Sequence, residues 1–304
     1  MTANESQLDF YPTRMGEHCK IIQRTDPVAW DESFFSLTKE NAKFFEKNGF
    51  LLFENLFSKT EVKSLFEELK IISNDNSKKN SPQFILEESN KEVRSIFEIH
   101  KQSKMYDRLC RDKRVLNVAR ELLGSEVYIH QSRVNLKPGF DGKEFYWHSD
   151  FETWHSEDGM PTMRALSCSL SLTNNYEFNG PLMVISGSHK QFISCGGKTP
   201  EKHYQQSLKR QEVGTPDKKI LENMVKDGGI VTAKGNAGSA IFFDCNIMHG
   251  SNGNITPFPR SNVFFVYNSI HNKLTDPFCG LPPRPEYIAS RQISQLEPVE
   301  NFLN

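Results

Sequence analysis

His148-Ser149-Asp150 places an imidazole and a carboxylate two residues apart. On an extended strand such side chains share one face, so both can reach one ion. A third donor is available at His249, which follows the apolar run Ala240 to Phe243 and an Asp-Cys-Asn turn and precedes Gly250-Ser251. Two histidines and one carboxylate on three facial positions leave the others open to small molecules, the ligand pattern of non-haem Fe(II) oxygenases. A lone His-x-Asp is more often a surface pair or a satisfied core group, so the motif needs company. Arg260 supplies it, eleven positions beyond His249 at the start of a strand pattern, where a guanidinium can clamp a carboxylate in a two-pronged fork. A keto acid chelated by the metal and held at its far carboxylate would use such a residue.

Strand parity gives a second hint. Gln131, Arg133, Asn135 and Lys137 alternate with Ser132, Val134 and Leu136, and in the late strand Arg260, Asn262 and Phe264 share a face. Each polar row alone could be a solvated edge. Two such rows flanking a metal motif read as the lining of a wet barrel mouth.

The elements that must position these rows follow from the hydrophobic period. Up to Gly124 the pattern is mostly helical. Thr38 caps a helix that carries Phe44 and Phe45 and ends at Asn48-Gly49, and Gly49 to Phe53 reads as a short buried strand. Ser58 and Glu61 form a capping box before Val62, Leu65, Phe66, Leu69 and Ile72, and a further helix runs from about Lys113 to Leu123. After Gly124 the period becomes two. Val127 to Lys137, Arg164 to Leu172, Leu182 to Ile185, Ala240 to Phe243 and Arg260 to Tyr267 read as strands separated by Gly, Pro and Asn turns. Short strands at such spacing predict a sandwich or jelly roll, not a parallel sheet. The expected organisation is one domain over 1–304: a helical part to about 125, a β core over about 126–270, and a polar lid or insertion over about 195–219.

Composition excludes several classes. With 304 residues, 37 basic against 38 acidic side chains and 37% hydrophobic residues, the chain is globular and near neutral. A strongly basic nucleic-acid surface is excluded. No stretch approaches the roughly 18 apolar residues of a membrane span, and Met1 to Arg14 has no apolar signal core. The six cysteines have no CxxC and no paired spacing, which argues against a disulfide framework or zinc knuckle and for a reducing cytoplasm.

The run from Phe145 to Gly180 (FYWHSDFETWHSEDGMPTMRALSCSLSLTNNYEFNG) resembles the signature of the ectoine hydroxylases, in the phytanoyl-CoA-dioxygenase-like group of Fe(II)/2-oxoglutarate oxygenases. The similarity continues at Leu182-Met183, Gly187-Ser188-His189, Thr199-Pro200-Glu201, Gly214-Thr215-Pro216, His249-Gly250-Ser251 and Arg260-Ser261-Asn262. Ser186 stands where the family pattern has proline. The resemblance implies a mainly β fold, a double-stranded β-helix (jelly-roll, cupin-like) core with N-terminal helices. It implies that His148, Asp150 and His249 hold iron, that Arg260, Ser251, Phe145 and Lys137 hold 2-oxoglutarate, and that Gln131, Trp154, Asn262, Phe97, Phe243 and Phe264 surround ectoine. By residue type alone, Trp154 and the phenylalanines serve equally as packing.

The implied reaction consumes O2 and 2-oxoglutarate, hydroxylates C5 of ectoine, and releases succinate and CO2. Another small zwitterionic, amino-acid-like substrate remains open on the residues alone. The carboxylate at Asp150 favours hydroxylation, since a small residue there would open a halide position. A homodimer and a compatible-solute role in osmotic stress are implied by the resemblance only. Among other residues, His155 and Glu157 read as support for the site or as surface, His189 as structural, and His203 as part of a charged loop. Cys168, Cys245, Met160 and Met163 read as core.

Overall fold

Gly124 ends a helix in the left-handed conformation (φ 55), and the chain then enters a strand of 11 residues. The computed structural model describes residues 8–31, 35–87, 92–207 and 213–303. Before the switch lie β1 (Lys20–Gln23), α1 (Lys39–Asn48), β2 (Phe50–Phe53), α2 (Lys59–Asn74), β3 (Phe84–Leu86), β4 (Val93–Phe97), α3 (Ile99–Gln102), α4 (Lys104–Arg111) and α5 (Lys113–Leu123). After it come β5 (Val127–Lys137), β6 (Phe145–His148), α6 (Asp150–Thr153), a π-helical stretch (Trp154–Asp158), β7 (Ala165–Ser171), β8 (Leu182–Ile185) and β9 (Gln191–Ser194). The chain continues through α7 (Tyr204–Ser207), α8 (Lys218–Gly228), β10 (Ile230–Thr232), β11 (Ala240–Asp244), β12 (His249–Ser251) and β13 (Arg260–Ser269).

Two antiparallel sheets form the walls of a jelly roll. The larger runs β2-β11-β7-β13-β5-β4-β3, the smaller β10-β8-β12-β6, and β1 pairs with β9 apart from both. Alternation decides what each face of the large sheet does. Cys168 and Leu170 of β7, Phe242 of β11 and Val263, Phe265 and Tyr267 of β13 pack under α2, α4 and α5 in one apolar cluster. The opposite residues of the same strands, Ile241, Phe243 and Phe264, pack against Leu182 and Val184 of the small sheet. Helices therefore seal one face, and the other closes the barrel.

The helix signals were legible. Thr38 accepts from the Asn41 N–H, Ser58 and Glu61 form the reciprocal capping box, and Gly49 is left-handed (φ 81). Gly49 has a second reason to be glycine: a Cβ there would lie 2.4 Å from the His189 ring. That ring donates from Nε2 to the Glu46 carbonyl oxygen (3.1 Å), in keeping with its structural reading.

The helical part carries strands too: the expected β2 flanks the large sheet on one side, and β3 and β4 extend it on the other. The three to five residues of β3 and β4 are too short to show a period. A bulge breaks the parity of β5. Val266 faces Gln131 and Tyr267 faces Ile129, which leaves His130 as the extra residue. Downstream of it, Gln131, Arg133, Asn135 and Lys137 lie opposite Val266, Phe264, Asn262 and Arg260. The two polar rows noted in the sequence thus share one face.

Candidate metal centre and anion pocket

β6 and β12 are antiparallel neighbours with His148 opposite His249, and the two rings are 4.3 Å apart between centroids. Each Nδ1 lies against a backbone carbonyl two residues upstream, His148 at Tyr146 (2.7 Å) and His249 at Ile247 (3.1 Å). A carbonyl only accepts, so both Nδ1 atoms carry the proton and both Nε2 lone pairs are free. They point at Asp150: His148 Nε2 is 3.7 Å from Oδ1, and His249 Nε2 is 3.7 Å from Oδ2.

Asp150 opens α6, held from behind. The Phe151 N–H donates to the Cys245 carbonyl (2.8 Å), and Ser149 Oγ donates to Asn246 Oδ1 (3.1 Å). Asn246 is itself tied to the carbonyls of His189 and Gln191. The Asp-Cys-Asn turn before His249 therefore fixes the other two members as well.

The three donor atoms lie within 4.8 Å of one another. Their chemistry fits a divalent transition metal: two neutral imidazoles and one carboxylate, with no fourth protein donor among the described residues. Burial, reinforced by His148, pushes His249 down to about 4, so its imidazole is neutral at physiological pH. Burial raises the Asp150 carboxyl, but His249, His148 and Arg133 outweigh it and hold the group well below the usual carboxylate range.

Beside the triad, the cavity is lined by Gln131, Arg133, Asn135, Phe145, Ser251, Phe243, Arg260 and Phe264. Arg260 is buried; Nη1 donates to the Gly180 carbonyl (2.6 Å), while Nε has no partner. Gly180 is left-handed (φ 72), and a Cβ on it would meet the Asn252 carbonyl at 2.4 Å, so glycine permits this close packing. Arg133 stacks over Phe264 (5.3 Å), and its Nε is likewise unpartnered. Lys137 Nζ donates to Ser251 Oγ (3.1 Å) and to the Asn252 carbonyl (2.5 Å). Among the described residues none of these three cations has a carboxylate within ion-pair distance. Burial pushes Arg260 down to about 10, with Arg133 adding repulsion, and burial with Arg260 and Arg94 pushes Lys137 down to about 7. Buried charges of one sign are costly when unpaired. The pocket is built to receive an anion.

The structure brings most of the sequence-predicted residues together. Gln131, Phe145, Ser251, Arg260, Phe243 and Phe264 line the triad cavity, and Lys137 lines an adjoining one with Phe145 and Arg260. Asn262 sits between Arg260 and Phe264 on the same face of β13. It donates to Ser169 Oγ (3.0 Å) and its Oδ1 is unpartnered. Trp154 lies outside the lining, in a cluster with Tyr11, Phe151 and Met160, its ring edge-on to His130 at 5.2 Å. Phe97 ends β4 opposite Arg133 and packs edge-on to Tyr287.

Arg133, Asn135 and Ser167 line the cavity too. The parity of β5 had marked the first two, and nothing in the sequence singled out Ser167. Two polar readings need correction. His203 is buried, with Nδ1 2.7 Å from Glu157 Oε1, because Glu157 is drawn inward by Arg14. His155 is buried as well, stacked on Phe278 at 3.9 Å. A second, larger cavity of about 450 Å³ opens beside them, lined by Glu157, His203, Tyr204, Arg284 and prolines 282, 283 and 285.

Comparison with known proteins gives one answer. The family model described as phytanoyl-CoA dioxygenase (PhyH) matches residues 45–262. The chain is 56% identical over 286 residues to an ectoine dioxygenase of Bordetella bronchiseptica, covering 93% of each chain. It is 49% identical over 288 residues to an ectoine dioxygenase of Stutzerimonas stutzeri, covering 94% of this chain and 95% of that protein. Its fold is similar to the crystal structure of EctD from S. alaskensis with 2-oxoglutarate and 5-hydroxyectoine, at TM-score 0.85 and 45% identity over 96% of this chain and 98% of that one.

Proposed function

Since the chain belongs to the phytanoyl-CoA dioxygenase family, and within it to the ectoine dioxygenases, we propose that it hydroxylates ectoine to 5-hydroxyectoine with O2 and 2-oxoglutarate, releasing succinate and CO2. The observation that carries this reading is the junction of the His148/Asp150/His249 face with a pocket of cations that have no carboxylate partner among the described residues. A bare metal-binding site would not need those cations.

His148, Asp150 and His249 are assigned to Fe(II). Bound together, the iron and the keto acid supply the oxidising chemistry, in which 2-oxoglutarate is decarboxylated as O2 is reduced. The chain's own residues do the rest. Arg260 pairs with the far carboxylate of 2-oxoglutarate, helped by Lys137 and Ser251, while the Phe145 ring excludes water from that end. Fixing both ends of the acid leaves its keto group no freedom to turn from the triad.

Ectoine is a cyclic amidinium carboxylate. Phe243 and Phe264 offer ring-sized apolar faces that also attract a delocalised cation. Gln131 and Asn262 place amide groups for its polar ends, and the unpartnered Asn262 Oδ1 is free to accept an N–H. Arg133, unpaired and facing Asp150, adds positive potential where a second carboxylate can approach. Trp154 and Phe97, packed on or beside β5, are assigned to shaping that wall.

The deciding experiment incubates the iron-loaded chain with ectoine, 2-oxoglutarate and air. The expected product is heavier than ectoine by one oxygen atom, with one succinate formed per product. Succinate formation that ignores ectoine but responds to another zwitterion would overturn the substrate assignment.

A further inference from the structure

All six cysteines are free thiols, and no spacing in the sequence pairs them. The fold pairs two of them. β1 and β9 are antiparallel with Lys20 opposite Ser194 and Ile21 opposite Ile193, so the same register sets Cys19 opposite Cys195. Each thiol has a backbone carbonyl as its hydrogen-bond partner, Cys19 Sγ at Thr215 (4.0 Å) and Cys195 Sγ at Ile193 (3.8 Å). Directly opposed residues in antiparallel strands have Cα atoms about 4.5–5.5 Å apart, inside the range of about 4.4–6.8 Å that a disulfide spans.

The surroundings of the two sulfurs differ. The backbone N–H groups of Gly196 and Asp217 favour the charged form of Cys19. Asp217 is the N-cap of α8, an 11-residue helix. The Cys195 thiol and the two N–H groups favour a thiolate. Against opposing burial and the Asp217 carboxylate they bring Cys19 down to about 7. Cys195 is buried and its thiol is pushed far up, first by the neighbouring Cys19 and then by desolvation. Cys19 is only half-buried, so small oxidants can reach it. Cys110, Cys168 and Cys245 are fully buried, with thiols that burial raises above the ordinary range.

We propose that Cys19 and Cys195 are a peroxide-responsive thiol pair that closes into an intramolecular disulfide. The Cys19 thiolate attacks one oxygen of a hydroperoxide, the O–O bond breaks, and the leaving oxygen takes a proton; Cys19 becomes a sulfenic acid. The Cys195 sulfur then attacks that sulfur, and its proton leaves with the hydroxyl as water. With hydrogen peroxide, two thiols lose two hydrogens and one peroxide becomes two waters. The cross-link joins the N-terminal strand to β9 beside Arg14, whose N–H already donates to the Cys195 carbonyl (2.9 Å). Arg14 in turn grips Glu152 and Glu157, just beyond Asp150. The disulfide thus staples the strap that braces the helix carrying the triad carboxylate.

The test treats the full-length folded chain with a few equivalents of hydrogen peroxide, quenches with iodoacetamide and digests without reductant. The expected result is a peptide linking Cys19 to Cys195, lighter by two hydrogens than the paired thiols and released by dithiothreitol. In Cys195→Ser, Cys19 stops at the sulfenic acid, trapped by dimedone, and Cys19→Ser gives neither species while still forming succinate with ectoine. Both thiols remaining alkylatable, or Cys19 joined to any other cysteine, overturns the proposal. Neither outcome depends on the ectoine assignment, because the readout is the sulfur and not the hydroxylated product.

Discussion

His148 and His249 face each other directly across the β6–β12 ladder, so one strand register converts two distant positions into adjacent donors. Each ring is set by a hydrogen bond to the backbone carbonyl two residues upstream, and the two lone pairs meet at Asp150. Metal binding should therefore be lost by deleting any one donor without unfolding the chain. Asp150→Ala removes a half-buried carboxylate and no core contact, so its melting temperature should stay near that of the parent. Iron-dependent turnover should fall to background. An anaerobic spectrum with Fe(II) and 2-oxoglutarate checks this: the charge-transfer band of the chelate should vanish, and full turnover in the variant would remove Asp150 from the ligand set.

Arg260 carries the next prediction. Its guanidinium is buried and has no carboxylate partner among the described residues. Arg260→Ala should raise the 2-oxoglutarate requirement about 100-fold, the equivalent of the roughly 3 kcal/mol seen when one member of a buried charge pair is lost. The ectoine requirement should change far less. Titrating each substrate at saturation of the other separates the two effects, and an unchanged 2-oxoglutarate KM would remove Arg260 from the clamp.

Much of this was written in local patterns. The His148/Asp150 pair, the Arg260 strand, the caps at Thr38, Ser58 and Gly124, and the alternation of β5 and β13 each rest on spacing that a few consecutive residues display. His249 meets that pair only through the β6–β12 register. What was hidden depends on tertiary pairing. β1, β9 and β12 are three or four residues long and show no period of their own. His130 gives no local sign that it is a bulge. Glu157 looks solvated because its partner, Arg14, lies more than a hundred positions upstream, and His203 because its own partner is that buried Glu157. Ser186 is legible only now: its N–H donates to the Gly229 carbonyl (3.2 Å) and its Oγ to Asn48 (2.9 Å), neither of which a proline could supply.

Lys137 makes the site pH-sensitive. Burial, Arg260 and Arg94 favour its neutral form, against Glu144, and bring it down to about 7. A dianionic acid bound beside it favours the charged form, so binding raises its pKa and takes up a proton. The requirement for 2-oxoglutarate should be lowest below pH 7, where the proton is already in place, and should climb as pH rises through and above 7. Lys137→Met should flatten that dependence and weaken binding at acidic pH. A KM profile from pH 6 to 9 that rises equally in both proteins would assign the effect elsewhere.

Arg14 should matter for stability before it matters for chemistry. Its Nε and Nη2 bind both oxygens of Glu152 (2.9 and 2.7 Å) and its Nη1 binds Glu157 (2.6 Å), all buried. Arg14→Ala would leave two buried carboxylates facing each other, which costs about 3–5 kcal/mol when a buried pair is broken on one side. Thermal unfolding should shift down by about 10 °C. The triple variant Arg14→Met with Glu152→Gln and Glu157→Gln should recover much of the loss, since removing all the charges removes the penalty.

Trp154 distinguishes packing from contact with substrate. It is buried among Tyr11, Phe151, Met160 and Met163 and meets His130 edge-on. Trp154→Ala should open a cavity worth about 3–5 kcal/mol, and the displaced His130 bulge should carry Gln131 out of place, so stability and ectoine turnover fall together. Trp154→Phe refills most of that volume with an aromatic edge. Its stability should return to within about 1.5 kcal/mol of the parent, and ectoine turnover should return with it. A Phe variant that melts like the parent yet consumes 2-oxoglutarate without hydroxylating ectoine would instead put the indole in direct contact with the substrate. In that case the cavity beside the triad must extend past β5 to reach it.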